Sequence, residues 1–197
     1  ARSFGRVFHA SMPGAFELDP AATVDIGGRA VPTLKLDGAV VNLDFSAPDR
    51  FTAHTGGNAT IFAVDGDDFV RVSTTVKKEN GERAVGTLLD RASPAYAALR
   101  AGRAYVGLVT LFGKPTITQY EPVHDGSGKL VAVLYVGVDI SADIQALKQR
   151  IQAIKVGDTG YFYVLNAAPG KAYGELVVHP AKEGSNILES KDADGRF

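Results

Sequence analysis

Residues 104–139 read AYVGLVTLFGKPTITQYEPVHDGSGKLVAVLYVGVD, and this stretch decides the fold. Its apolar and alternating runs predict three β-strands, at Ala104–Leu111, Thr116–Pro122 and Lys129–Asp139. The loops between them are short, which favours antiparallel pairing, because a parallel pair needs a long crossover connection. Both alternating sets of the third strand are apolar or aromatic. This strand is therefore expected to be central and buried on both faces.

Upstream of these strands, two further apolar runs predict a β-hairpin. Ala59–Val64 and Phe69–Val76 are joined by an Asp-Gly-Asp turn. A short helix is predicted at Ser93–Gly102, because serine is placed to cap it, proline stands at its first position and glycine follows its end.

The two ends of the chain also predict helices. Residues 1–12 carry apolar side chains at helical spacing, which indicates the end of a helix, whereas residues 16–51 are expected to form short strands and turns. An apolar stripe predicts another helix from Ser141 to Gly157. Strands and helices in this order are compatible with an α+β fold.

Composition excludes several classes of function. The chain has 197 residues, with 21 Lys and Arg against 22 Asp and Glu and a net charge of −1, so it lacks the basic excess of a nucleic-acid-binding protein. It has no cysteine, which excludes disulfides, thiolate zinc sites and cysteine nucleophiles. The longest apolar run, residues 130–138, is well short of the ~20 residues that a membrane-spanning helix needs.

Catalytic motifs are absent from the sequence. It contains no G-x-G-x-x-G and no G-x-S-x-G, and its four histidines are far apart without an H-E-x-x-H pair. We therefore expect a protein that is not an enzyme and that carries no cofactor and no metal ion.

Arg71 is the most informative single residue. The two-residue period of a strand is expected to place Phe69, Arg71 and Ser73 on one face. An arginine inside a buried strand costs several kcal/mol unless it is paired. The partner is either a protein carboxylate or an anionic ligand, whose carboxylate would match the fork of the guanidinium. The residues leave both alternatives open.

Hydroxyl groups on the neighbouring strands favour the anionic ligand over a protein carboxylate as the partner of Arg71. Thr118 and Tyr120 share one face of their strand, and Tyr105 shares a face with Gly107, which is expected to leave room beside it. Such a lining is typical of a pocket for a small polar ligand. The alternative is a hydrogen-bonded core tyrosine beside edge-strand threonines. Lys114 is either a second cation for an acid or a solvated side chain.

Short motifs that run in order from about residue 12 to residue 145 carry a family resemblance. They are ATIF at 59–62, DFVRVST at 68–74, AVGTLLD at 84–90, SPAY at 93–96, GRAY at 102–105, LFG at 111–113, YEP at 120–122 and YVGVDI at 135–140. Together they resemble the fused Cache-three/Cache-two family. Its members are extracytoplasmic sensor domains of bacterial methyl-accepting chemotaxis receptors and of related membrane kinases and cyclases.

The resemblance implies a PAS-like fold, in which a central antiparallel sheet is flanked by helices and preceded by an N-terminal helix that leads in from a membrane-spanning segment. It implies that residues 1–145 form the Cache ligand-binding domain with the remnant of that helix. Residues 146–197 would then form a connecting helix and the start of a second, truncated Cache-like part, because VGDTGYFY at 156–163 is similar to the opening of the Cache-two part.

The resemblance also implies a ligand site. Citrate-type relatives hold a carboxylate with an arginine and a polar residue three positions later, which here are Arg71 and Thr74. The relatives have a histidine at the position of Thr74 and further cations at the positions of Thr118 and Tyr120, so their loss favours a smaller, singly charged acid. The predicted ligand-binding residues are Arg71, Ser73, Thr74, Tyr105, Lys114, Thr118 and Tyr120.

The leading hypothesis is a non-enzymatic sensor of a small organic acid, with a short-chain monocarboxylate favoured. It would be the periplasmic part of an inner-membrane chemoreceptor, with flanking transmembrane helices and a homodimeric intact receptor, and without nucleic-acid partners. One alternative is the sensor domain of a histidine kinase or a cyclase. Another is a ligand-free docking or dimerisation module, in which Arg71 would be in an internal ion pair.

Overall fold

The computed structural model describes residues 2–111, 113–188 and 190–191. Phe112 of the LFG motif and the last six residues of the predicted second part, 192–197, lie outside the described residues. The chain divides into two compact units, Ala1–Ile140 and Ser141–Phe197. No described helix has the length and apolarity that crossing a bilayer requires.

The first unit is an α+β fold built on a five-stranded antiparallel sheet in the order β5-β4-β8-β7-β6, with a three-stranded sheet β1-β2-β3 beside it. This confirms the predicted fold class. Its elements are α1 (Arg2–Ala10), β1 (Phe16–Asp25), β2 (Ala30–Leu36), β3 (Ala39–Val40), α2 (Ser46–Thr55), β4 (Asn58–Asp65), β5 (Asp68–Thr74), α3 (Pro94–Arg100), β6 (Tyr105–Leu111), β7 (Lys114–His124) and β8 (Leu130–Asp139).

The central position predicted for β8 is confirmed. Its side chains alternate between two hydrophobic clusters, with Leu134 and Val136 in one and Val133 and Tyr135 in the other. The first cluster includes residues of α1, α2 and the three-stranded sheet, which therefore cover one face of the central sheet. The second cluster includes residues of α3 and of the segment before it. The candidate site lies on this second face.

Helix α2 corrects the prediction that residues 16–51 form strands and turns. The segment SAPDRFTAHT has little apolar periodicity, but the ring of Phe51 packs edge-on against Phe8, with 5.1 Å between their centroids, and against Phe4 at 6.2 Å. Tertiary packing against α1 therefore stabilises a helix that the local sequence does not predict.

Helix α3 begins and ends as predicted. Ser93 adopts an extended backbone, and its hydroxyl accepts a hydrogen bond from the backbone N–H of Ala95 at 3.2 Å. Gly102 follows the helix with a φ of +67°, a left-handed conformation that favours glycine. Both ends of the helix are therefore set by local sequence.

The second unit contains α4 (Ser141–Ala153) and short strand pairs: β9 (Lys155–Val156) with β10 (Gly160–Tyr161), and β11 (Val164–Leu165) with β12 (Leu176–Val178). The predicted helix begins at Ser141, but it ends at Ala153 and not at Gly157, because residues 155–156 pair with β10. No residue of α4 is buried, so its apolar stripe stays accessible.

Candidate functional site

Arg71 lies in the middle of β5 with 4% of its surface exposed. Its Nη1 donates a hydrogen bond to Thr87 Oγ1, and its guanidinium carbon lies 5.0 Å from the centre of the Phe62 ring, within range of a cation–π interaction. The buried Nε has no hydrogen-bond partner within the described residues. The guanidinium is thus held on two sides and retains an unused donor.

Among the described residues, no carboxylate neutralises this cation. Burial lowers the pKa of Arg71, the hydroxyl groups of Tyr120 and Tyr135 act in the opposite direction, and no acidic side chain contributes. The protein carboxylate that the sequence left open as a partner is not found among the described residues. A buried, charged and incompletely hydrogen-bonded guanidinium is costly in a folded protein, so its presence needs an explanation.

A segment that we call the covering segment, residues 84–94, lies beside and over Arg71. It is hydrogen bonded to β5 through the backbone: Gly86 N–H donates to Arg71 O at 2.8 Å, Arg71 N–H to Thr87 O at 2.9 Å, and Leu89 N–H to Phe69 O at 3.0 Å. Beyond these bonds, Arg91 Nε donates to Asp68 Oδ1 at 2.8 Å. The segment therefore pairs with the sheet near Arg71 and is held by side chains farther along.

A cavity of about 510 Å³ lies under the covering segment. Arg71 and Tyr120 contribute from the sheet, and the hairpin end of β6 contributes the remaining wall. The lining residues are Arg71, Thr87, Leu88, Leu89, Asp90, Ala92, Ser93, Pro94, Val109, Thr110, Leu111 and Tyr120. The volume is within the usual range of small-molecule sites.

A row of hydroxyl-bearing residues crosses all five strands next to Arg71. Neighbours in the row are paired in register, in the order Thr74, Thr60, Tyr135, Tyr120 and Tyr105. Burial raises the pKa of Tyr120 to about 12 and also raises the pKa of Tyr135, so both hydroxyls stay protonated and can donate hydrogen bonds. The buried Tyr135 hydroxyl has no partner within the described residues.

The expectation that Gly107 leaves free space beside it is wrong, because a side chain occupies that space. The ring of Tyr105 lies along its own strand, and its hydroxyl covers Gly107, where a Cβ atom would collide with it. Tyr135 covers Gly137 in the same way. Both glycines therefore accommodate tyrosine rings of the core and do not open space for a ligand.

The predicted placement of Ser73 on the face of Arg71 is wrong. A register shift in the pairing of β4 with β5 sets Arg71 opposite Phe62 but Ser73 opposite Ile61. Because paired residues of antiparallel strands point to the same side, Ser73 faces the other cluster with Ile61. Its hydroxyl donates to the backbone carbonyl of Asp44 at 2.5 Å.

The remaining predicted residues are divided between different places. Thr74 is fully buried, with its hydroxyl 2.6 Å from that of Thr60. Thr118 is also fully buried and donates to Gly107 O at 3.1 Å. Lys114 lies in a second cavity of about 530 Å³ and forms an ion pair with Asp139 at 3.0 Å. Of the seven predicted residues, the cavity under the covering segment therefore brings together Arg71 and Tyr120.

Sequence reasoning missed three residues of the site. Phe62 and Tyr135 follow the two-residue period of β4 and β8, so knowledge of the strand order would have found them. Thr87 has no such signal, because it follows from how the covering segment folds back onto β5. Within the described residues, no cluster of three or more His, Asp or Glu side chains could hold a metal ion.

Comparison with known proteins adds an independent finding. A family model described as the Cache 3/Cache 2 fusion domain matches residues 1–197. Comparison with curated protein sequences finds no significant match.

Among solved structures, the chain is similar to the ligand-binding domain of the Pseudomonas aeruginosa amino acid chemoreceptor PctC in complex with GABA, at 15% identity and a TM-score of 0.44, over 96% of this chain and 72% of that one. It is similar to the extracellular domain of a protein described as a histidine kinase, mmHK1S-Z2, at 15% identity and a TM-score of 0.41, over 76% of this chain and 62% of that one. It is also similar to the Campylobacter jejuni chemoreceptor Tlp3 in complex with L-valine, at 13% identity and a TM-score of 0.41, over 78% of this chain and 55% of that one. The chain thus spans less than two thirds of the length of the last two domains.

Proposed function

The chain belongs to the Cache 3/Cache 2 fusion domain family, and from this membership we propose that it is the ligand-binding sensor part of a membrane receptor that binds a small monocarboxylate at Arg71. The membership confirms the resemblance noted in the sequence. Cache domains are extracytoplasmic sensor modules, and the proposal is accordingly that the protein acts by binding a ligand.

The observation that carries the proposal is the buried, unneutralised guanidinium of Arg71 at the wall of a cavity. A carboxylate in the cavity supplies the missing negative charge and accepts hydrogen bonds from the guanidinium of Arg71 and from the hydroxyl of Tyr120. A singly charged acid fits best, because Thr74, Thr118 and Tyr120 provide no second cation and Lys114 lines a different cavity. Acetate, propionate and pyruvate are the simplest acids of this kind.

The receptor itself is proposed to be a periplasmic chemoreceptor of the methyl-accepting type, homodimeric when intact, with transmembrane helices outside this chain. The sensor part of a histidine kinase or a cyclase is the second candidate. Residues 1–145 would form the ligand-binding Cache domain, and 146–197 the connecting helix with the start of a second Cache-like part. A ligand-free docking module is disfavoured, because the internal ion pair that it requires of Arg71 is not found among the described residues.

Calorimetric titration of the chain with monocarboxylates tests the proposal. A charge-assisted hydrogen bond contributes ~1.5–3 kcal/mol, so Arg71→Ala should weaken binding by about ten- to a hundredfold or more. Arg103→Ala, at an exposed position, serves as the control and should bind like the wild type. Wild-type affinity in an Arg71→Ala protein that melts normally would overturn the assignment, and so would a wild-type chain that binds no acid.

A further inference from the structure

The apolar side of the Arg71 cavity supports an inference about ligand selectivity, which rests on the proposed function. We infer that the site selects, among monocarboxylates, those with an apolar tail, so that butyrate, pentanoate, hexanoate and their branched analogues bind more tightly than acetate. We further infer that it selects against the α-amino acids of the same carbon skeleton.

Polar and apolar groups are unevenly distributed around this cavity. The sheet contributes the donors of Arg71, whose Nη1 is bonded to Thr87, and the hydroxyl of Tyr120. The covering segment and the end of β6 add the polar side chains of Thr87, Asp90, Ser93 and Thr110, and otherwise hydrocarbon from Leu89, Ala92, Pro94, Val109 and Leu111. A ligand with its carboxylate at Arg71 therefore has hydrocarbon available for the rest of the molecule.

The size of the cavity exceeds what the shortest acids fill. A volume of about 510 Å³ corresponds to roughly seventeen water molecules at ~30 Å³ each, whereas acetate has four non-hydrogen atoms. A longer tail removes the apolar part of the wall from water, and each buried methylene should tighten binding by about fourfold.

An α-ammonium group has no suitable place beside Arg71. In an α-amino acid the ammonium is one carbon away from the carboxylate, so it would lie near the guanidinium, where like charges repel. Asp90 is the acidic side chain among the described lining residues, and it is exposed to solvent. A hydrated, screened carboxylate attracts an ammonium only weakly, so the ammonium would gain too little there to offset its repulsion by the guanidinium.

The test compares acetate, butyrate and hexanoate, and then the matched pair 4-methylpentanoate and leucine, by calorimetric titration of the wild-type chain. The affinity is expected to rise about fourfold per methylene, and leucine is expected to bind at least tenfold more weakly than 4-methylpentanoate. Equal affinity across the series, or tighter binding of leucine, would overturn the inference and leave the carboxylate site intact. If no acid binds at all, the proposed function itself fails, and the two failures are thereby distinguished.

A variant pair locates the tail. Val109→Phe fills the apolar side of the cavity, so it should abolish the gain of hexanoate over acetate while acetate binding is retained. Leu108→Phe, on the opposite face of the same strand with 63% of the leucine exposed, should leave the whole series unchanged. A hexanoate advantage that survives Val109→Phe in a folded protein would contradict the inference.

Discussion

Replacing Arg71 with methionine should stabilise the ligand-free protein, contrary to the usual effect of altering a buried residue. Methionine has a comparable length and fills the same space beside Phe62 without charge. Thr87 keeps a hydrogen-bond partner after the change, since its hydroxyl also donates to Ala84 O at 2.7 Å. The substitution therefore removes a buried cation and leaves no new unsatisfied group.

The size of the expected stabilisation by Arg71→Met follows from the contacts of Arg71. The guanidinium bears a desolvation penalty of several kcal/mol and a buried Nε without partner, which costs ~1–3 kcal/mol. It recovers ~1.5–3 kcal/mol from the bond to Thr87 and ~2 kcal/mol from the ring of Phe62. The balance favours methionine by about 1–3 kcal/mol. For a domain of this size, that difference corresponds to a rise in Tm of roughly 3–9 °C.

The assay is thermal and urea unfolding in a buffer free of carboxylates, repeated with a monocarboxylate at about a thousand times its Kd. Ligand should stabilise the wild type by ~4.1 kcal/mol and leave Arg71→Met unaffected, so that their order of stability reverses. The matched control is Arg83→Met. Arg83 also stacks on a ring, that of Phe45 at 4.4 Å, but it is paired with Asp49 at 2.7 Å, so its loss should destabilise the protein by about 1 kcal/mol. A loss of 3 kcal/mol or more in Arg71→Met would refute the reasoning, because it would show that the guanidinium is structural.

Two other predictions concern the tyrosine row. Gly137→Ala should lower the free energy of unfolding by about 1–3 kcal/mol, because its Cβ would collide with the Tyr135 hydroxyl and lie 3.0 Å from Thr116 Cγ2; Gly126→Ala, with open space around it, should be neutral in the same urea titration. The pKa of Tyr120, about 12 against 10 in the unfolded chain, means that the folded state holds this proton more tightly, so its contribution to stability is complete below pH 10 and is lost between pH 10 and 12. Tyr120→Phe should flatten the stability profile in that window, and an unchanged slope would contradict the burial argument.

Elements with strong periodicity and turn chemistry could be predicted from the sequence. The apolar run of β8 has no polar face, which indicated a central strand, and Ser93 with Pro94 and Gly102 defined α3. Helix α2 could not be predicted, because it depends on Phe51 meeting Phe8 from a distant part of the chain.

Only part of the candidate site could be predicted, because some of its residues also depend on contacts between distant parts of the chain. Arg71 could be singled out because charge inside an apolar strand is conspicuous. The orientation of Ser73 could not, since one extra residue in β5 relative to β4 reverses the side to which it points. The separation of Lys114 from Arg71 depends on how the β6–β7 hairpin and the loops lie above the sheet, which no local pattern encodes.

The uneven attachment of the covering segment sets the speed at which a signal can arrive. Its residues 86–89 are bonded to β5 along the backbone, whereas residues 90–94 are held through contacts such as the ion pair of Asp68 with the exposed Arg91, which solvent weakens. The second half can therefore lift while the five-stranded sheet stays intact, on the nanosecond-to-microsecond timescale of loop motion. On the proposed function, occupancy of the site then follows the ligand concentration at the pace of ligand dissociation, without waiting for any unfolding of the domain.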